Sequence, residues 1–248
     1  VPVQETKAAG KDGKVVVVAL YNRLEYSRKV LDALAKCDGI GGYHVIFGVD
    51  KGDPQVLRLA HEYPKFPNRR VFAHSQPVGC DANIKRCLTL GFGASDYVVL
   101  LEDDVVPAKD FLTFFEHCRG AYRDDPDVHT VGAYNKDRVR PGDYHLIFRK
   151  AFFVPWGWAT WLDRWKEPGG MRDNWAYRCG GWDQHLSRVL SRGRSQVRPF
   201  LSRVQNIGAV GGCHVVSPEW HAKHQFNEFW AGSVGNLPPG EFHESKKQ

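Results

Sequence analysis

The apolar run Val15-Val16-Val17-Val18-Ala19-Leu20 has no polar alternation, the pattern of a parallel strand covered on both faces, and it meets polar Asn22 and Arg23. Leu24, Leu31, Leu34 and Ala35 then share one face of a helix over 24–36, which Cys37-Asp38-Gly39 stops. His44 to Val49 is a second strand ending at Asp50, and Asp53-Pro54 reads as N-cap and first-turn proline of a short helix through Tyr63. Val71-Phe72-Ala73 forms a third strand, Asp81 caps a helix carrying Ile84, Cys87 and Leu88, and Tyr97 to Leu101 is a buried strand running into Glu102-Asp103-Asp104. Pro107 opens the clearest helix, with Phe111, Phe114, Phe115, Cys118 and Tyr122 on one face.

This alternation predicts an α/β fold: a mostly parallel sheet flanked by helices, with ligands beyond the carboxyl ends of the strands, where Asn22, Asp50 and Glu102 to Asp104 lie. Past residue 130 the pattern loosens into aromatic and glycine-rich stretches, and all eight tryptophans fall there. We divide the chain into a lead-in (1–14), a half of regular strand and helix alternation (15–130) and an aromatic-rich half (131–248), integrated in one domain.

Composition changes this picture little. The 248 residues are 42% hydrophobic and 25% charged, ordinary globular usage that argues against disorder or a disulfide-only scaffold. The net charge of +6 favours anionic partners without choosing among them. No apolar run is long enough to span a bilayer, which predicts a soluble domain, and a start at Val1 allows for an anchor or stem lost to processing. Both a secretory (Golgi) lumen and a bacterial cytoplasm suit such a domain. The six cysteines form no CxxC pair; they permit three disulfides without requiring any, and Cys87 and Cys118 read as small buried hydrophobes. There is no GxxxxGK(S/T), no GxGxxG after a strand and no GxSxG elbow, which disfavours a P-loop nucleotidase, a dehydrogenase and an α/β-hydrolase.

Three consecutive carboxylates after a buried strand repel one another unless a cation or donors compensate. Mg²⁺ or Mn²⁺ held by one or two carboxylates plus substrate phosphates suits so sparse a set. In extended backbone Glu102 and Asp104 share a side and Asp103 faces away. A solvated acidic turn capping the helix at Pro107 is the competing explanation, but it accounts for one or two acids, not three.

Leu100-Leu101-Glu102-Asp103-Asp104-Val105-Val106-Pro107 with Asp110-Phe111 resembles the Glu-Asp-Asp signature of glycosyltransferases of the N-acetylglucosaminyltransferase I type, metal-dependent enzymes of GT-A fold. Val18 to Arg23, Val49-Asp50, Gly132-Ala133-Tyr134-Asn135 and Phe152 to Trp158 resemble further family segments, in the right order over about residues 15 to 230. Trp156 to Trp161 and Asn206-Ile207-Gly208 are also similar to bacterial glycosyltransferases of related architecture.

The resemblance implies Asp104 as direct metal ligand, Glu102 and Asp103 on the donor's sugar and ribose, Asp50 on the base, and Leu20, Asn22 and Arg23 in the nucleotide-contacting turn. Lys85 is a donor-side candidate on charge and placement, which an exposed helix lysine explains as well. Gly181-Trp182-Asp183-Gln184 is similar to the family's Trp-Asp pair, which implies Asp183 as catalytic base; helix capping is its alternative role. Trp156, Trp158 and Trp182 could floor an acceptor site by stacking on sugar rings, with Gly157 giving a ligand access to backbone.

His214, His221 and His224 read as loop packing rather than metal ligands, and 208–214 has the composition of a lid. Basic residues at 188, 192, 194, 198 and 203 read as a solvated stripe, or else a surface for an anionic acceptor or membrane. The expectation is an inverting, Mn²⁺- or Mg²⁺-dependent transfer from a UDP-sugar, N-acetylglucosamine first, to a glycan hydroxyl, with no nucleic-acid partner. A sugar-1-phosphate nucleotidyltransferase and a non-catalytic carbohydrate-binding protein are the alternatives.

Overall fold

A computed structural model describes residues 13–51, 53–173, 175, 181–190, 193–210, 217–224, 230–232, 237 and 240–245. Most of the lead-in, His214, Cys179 and Cys213 lie outside them.

The first apolar run is strand β1 (Lys14–Leu20), followed by α1 (Leu24–Leu34), β2 (Tyr43–Val49), α2 (Pro54–Glu62), β3 (Arg69–Ala73), α3 (Cys80–Phe92) and β4 (Tyr97–Glu102). As its composition predicts, β1 is buried on both faces. Val16, Val18 and Leu20 join a core with Leu31 and Leu34, whereas Val15, Val17 and Ala19 join a second core with Ile84 and Leu88 of α3. Asp53 caps α2 by accepting from the Gln55 amide at 2.8 Å, with Pro54 in the first turn.

Pro107 does not open a helix. It closes β5 (Val105–Pro107), and α4 (Phe111–Ala121) begins four residues later, its Phe111, Phe114, Phe115 and Cys118 buried as their spacing requires. The second half adds β6 (Val128–Gly132), β7 (Leu146–Lys150), β8 (Trp158–Trp161), α5 (Leu162–Lys166), α6 (Trp182–Leu190), β9 (Ser195–Pro199), β10 (Val204–Asn206), α7 (Pro218–Lys223) and β11 (His243–Glu244).

Among the described residues, nine strands from both halves form one sheet in the order β11-β7-β9-β6-β8-β4-β1-β2-β3. The block β4-β1-β2-β3 is parallel. Beyond it the sheet is mixed: β8 runs antiparallel to both β4 and β6, and β7 antiparallel to β9. The β6/β9 and β11/β7 pairs are again parallel, so the sheet is mixed chiefly because β8, inserted between β4 and β6, runs opposite to both of them. From β1 the chain goes to β2 and β3 on one side and returns to β4 on the other, so the β1/β4 junction is the switch point at which a crevice opens.

β5 pairs antiparallel with β10, matching Val105 with Asn206. That small ribbon carries residues 204–208 onto the acidic turn after β4. Asp81 is not the cap of α3, whose N-cap is Gly79 at φ 83°. Its carboxylate instead accepts from the Trp182 amide at 3.2 Å, and its carbonyl from Trp175 Nε1 at 2.9 Å, tying α6 to α3. Cys37, Cys80, Cys87 and Cys118 are free thiols. No helix among the described residues is long and apolar enough to cross a membrane.

Candidate active site

A cleft of about 1130 Å³ lies over the carboxyl ends of β1, β2 and β4 and extends toward β7 and β9. Leu20 ends β1, Arg23 precedes α1, Asp50 follows β2 and Glu102 ends β4, so the strand termini themselves deliver the donor-side lining.

Arg23 ties the acidic turn together. Its Nη2 donates to Asp103 Oδ1, and its Nη1 pairs with Asp104 Oδ2 at 2.8 Å. The strand ends at Glu102, so the alternation expected of extended backbone does not continue, and Asp103 and Asp104 converge on one guanidinium. Burial alone would lower the Arg23 pKa, but the two aspartates outweigh it and hold the guanidinium charged. Asp103 titrates upward, to about 6, through burial first and then repulsion from Asp104, with Arg23 opposing. Glu102 is pushed well above the usual carboxylate range by burial, then by Asp104, Asp103 and Asp183. Asp183, in the first turn of α6, is therefore close enough to the triplet to be felt electrostatically, and it lines the same cleft.

On the far side of Asp104, Asn206 Nδ2 donates to Oδ1 at 3.4 Å. Asn206 Oδ1 in turn accepts from the Gly208 amide at 2.8 Å and from His221 Nε2 at 2.9 Å. The Ile207 amide donates to the Asp104 carbonyl at 2.8 Å. A Cβ on Gly208 would overlap Asp104 Oδ2 and come 2.8 Å from its Cγ, so this backbone approaches the carboxylate as only glycine can. His221 is buried, which lowers its pKa, while Asp104 pulls the other way.

Asp50 is buried and accepts three backbone amides: Lys51 and Val78 on Oδ1 and Gly79 on Oδ2, each at 2.8 Å. It thereby also anchors the glycine turn that starts α3.

Residues 13–164, more than half of the chain, match the family model described as glycosyltransferase like family 2. The chain belongs to that family. An alpha-1,3-mannosyl-glycoprotein 2-beta-N-acetylglucosaminyltransferase of Arabidopsis thaliana is 29% identical over 119 residues, 46% of this chain and 25% of that protein. Among solved structures, the mannosyltransferase PcManGT of Pyrobaculum calidifontis, in complex with GDP-Man and Mn²⁺, aligns with a TM-score of 0.55 at 18% identity over 80% of this chain and 58% of that one. S. aureus TarS 1-349 in complex with UDP aligns with a TM-score of 0.55 at 14% identity, over 77% of this chain and 59% of that one. At such identities the likeness establishes the fold, which is GT-A-like. The glycosyltransferase chain described here spans a quarter of the plant relative and under two thirds of the two structures.

Within this glycosyltransferase, Leu20, Arg23, Asp50, Glu102, Asp103, Asp104, Trp156, Trp182 and Asp183 all line one cleft, although they are spread over 164 residues of sequence. Three sequence-based candidates do not. Asn22 is exposed at the turn, where Tyr21 and Arg23 face the cleft in its place. Lys85 lies on α3 outside the lining, as a surface helix lysine would. Trp158 is 0% exposed, and its stacking on Trp182 (5.6 Å) and edge contact with Phe153 (5.1 Å) make it core. Trp175 stacks on Trp182 at 5.5 Å, so most of this indole cluster is a pillar under α6 rather than a sugar platform. Gly157, at φ 64°, serves packing: a Cβ there would press on Val204 at 2.9 Å.

Sequence reasoning left Tyr134, Asn206 and Gly208 without individual roles and read His221 only as loop packing. The first three sit in segments that resembled glycosyltransferases, but nothing local marked them as partners of Asp104 or as cleft lining. Of the basic stripe, residue 192 and the side chain at 188 lie outside the described residues; of the rest, Arg194 pairs with Glu167 and fully buried Arg203 with Asp110, whereas Arg198 lines the cleft.

Among the described residues, no group of three or more His, Cys, Asp or Glu side chains could by itself hold a metal. The donor set nevertheless fits a hard cation that takes one or two carboxylates and completes its shell with phosphate and water. Asp104 lines the cleft with Glu102 and Asp103 beside it, so hard carboxylate oxygens are gathered at one end of it.

Proposed function

We propose that this cleft moves a sugar from a UDP-activated donor to a glycan hydroxyl with inversion at the anomeric carbon. The observation that carries the reading is the convergence of Asp103, Asp104 and Arg23 at the β1/β4 switch point, in one cleft with Asp183. Asp104 would hold Mn²⁺ or Mg²⁺, which when bound supplies positive charge to the leaving diphosphate. Asn206, itself fixed by Gly208 and His221, orients the Asp104 carboxylate; Arg23 limits repulsion within the acidic turn. Asp50 and the amides that surround it suit the base end of the nucleotide, and Glu102 and Asp103 the ribose and sugar.

Asp183 accepts the proton of the acceptor hydroxyl as its oxygen attacks the anomeric carbon. The bond from that carbon to the diphosphate oxygen breaks, and its electron pair leaves with UDP. N-acetylglucosamine is the first donor to test, supported by the name of the plant relative and by an S. aureus TarS complex with UDP-GlcNAc at a TM-score of 0.54. GDP-mannose, bound in PcManGT, is its competitor.

Calorimetric titration of UDP with and without Mn²⁺ tests the reading, followed by hydrolysis assays on UDP- and GDP-sugars. Binding that requires the metal, and metal-dependent hydrolysis of one donor, are expected. Glycan binding indifferent to both UDP and metal would identify a lectin-like protein and defeat the proposal.

A further inference from the structure

Arg198 is 8% exposed, yet among the described residues no carboxylate lies within ion-pair distance of it. One Nη2 bond to the Phe152 carbonyl at 2.7 Å is its hydrogen bond, and its Nε is buried without a partner. Asp137 is near enough to favour the charge, but burial prevails and pulls the guanidinium pKa down to about 10. Leaving a buried cation without a counter-charge is costly, so an anion entering the cleft beside Arg198 would relieve a penalty the fold already bears. Every other buried arginine of known contacts in this half, Arg164 and Arg203, has both carboxylate and carbonyl partners.

The sheet register places Arg198 opposite Phe148 and Gln196 opposite Lys150, so Phe148, Lys150 and Arg198 share a face, and all three line the cleft. Lys136 adds a second exposed ammonium from the loop after β6, against the single carboxylate of Asp137. Three strand spacings separate β9 from β4 in the sheet order, about 14 Å between strand bodies. This basic corner is therefore remote from the Asp104 end, where a donor diphosphate belongs.

We infer that the acceptor carries an anionic group, a carboxylate or a phosphate, that is received by Arg198 with Lys150 beside it. The inference rests on the glycosyltransferase reading for the word acceptor, but the anion site can be measured without it. A guanidinium offers parallel donors to either anion, and the exposed ring of Phe152 at the rim suits the sugar that bears it.

The test is titration of the protein, alone and with UDP and Mn²⁺, with methyl β-glucuronide, glucose 6-phosphate and neutral methyl β-glucoside. At least one anionic probe is expected to bind about tenfold more tightly than the neutral one, and which one does so separates carboxylate from phosphate. Arg198→Gln should erase the preference, and Arg198→Lys should keep part of it. Lys150→Gln, at an exposed position of β7, should reduce the preference about threefold. Equal binding of charged and neutral probes, a preference that survives Arg198→Gln, or displacement of the anionic probe by UDP would each overturn the inference. Failure of UDP to bind with Mn²⁺ would instead remove the donor reading, while the probe titrations would still decide whether the anion site exists.

Discussion

Gly208 lies against the Asp104 carboxylate so closely that any side chain there would occupy the space of Oδ2. Asn206 bonds to both residues and locks that approach. Gly208→Ala should therefore turn the carboxylate away, weakening UDP binding in Mn²⁺ about tenfold or more, while UDP binding without metal and the melting temperature change little. Calorimetry on both proteins checks this, and unchanged metal-dependent binding in the variant would show that Asp104 does not hold the metal.

Asp183 differs from the acidic triplet in belonging to α6, although it lines the same cleft as the turn that Arg23 organises. Asp183→Asn is expected to lower kcat for transfer by about a hundredfold or more, while leaving UDP affinity within twofold. Asp104→Ala should show the opposite split, losing metal-dependent donor binding. A loss of UDP affinity in Asp183→Asn would place that carboxylate on the donor instead.

Asp103 has a raised pKa, from burial and from Asp104, so the folded protein binds this proton more tightly than the unfolded chain does. Stability then falls as pH rises from about 4 to about 6, by at most about 1.4 kcal/mol per pH unit for this one group. Half-buried Asp125 and exposed Asp163, where partial desolvation is outweighed by arginine partners that hold both below the usual range, act in the opposite sense. The comparison that isolates Asp103 is thus wild type against Asp103→Asn: the variant should gain stability relative to wild type across that window. Urea melts at stepped pH measure it, and parallel curves would refute the assignment.

The two indoles at 156 and 158 should respond in different ways. Trp158→Ala removes a fully buried side chain and should cost about 3 to 5 kcal/mol of stability. Trp156, half-buried at the cleft and in edge contact with Tyr134 at 4.6 Å, should when replaced by Ala mainly raise the acceptor KM and leave the donor KM unchanged. Thermal melts and two-substrate kinetics separate them.

Strand ends were legible because a chain buried on both faces has no polar phase: Val15 to Leu20 and Tyr97 to Leu101 announce themselves, and the first polar residues after them mark where a ligand is met. Pro107 misled because proline serves the end of a short strand as readily as the start of a helix. Trp158 misled because an indole beside glycine has one composition in a core and in a binding floor, and only the neighbours distinguish the two.

By itself the sequence determined the two-faced parallel block, the carboxyl-end position of Asp50 and the acidic triplet, and the chemistry those acids could perform. These are readable locally, because side-chain periodicity follows burial and turn residues follow backbone geometry. Tertiary structure alone decided that Arg23 meets Asp103 across 80 residues, that Asn206 meets Asp104 across 102, and that Arg198 is buried in the cleft instead of solvated on a stripe. Such pairings depend on strand order and register, which no local pattern encodes, since a charge has the same spelling whether its partner is water, a neighbouring carboxylate or an incoming substrate.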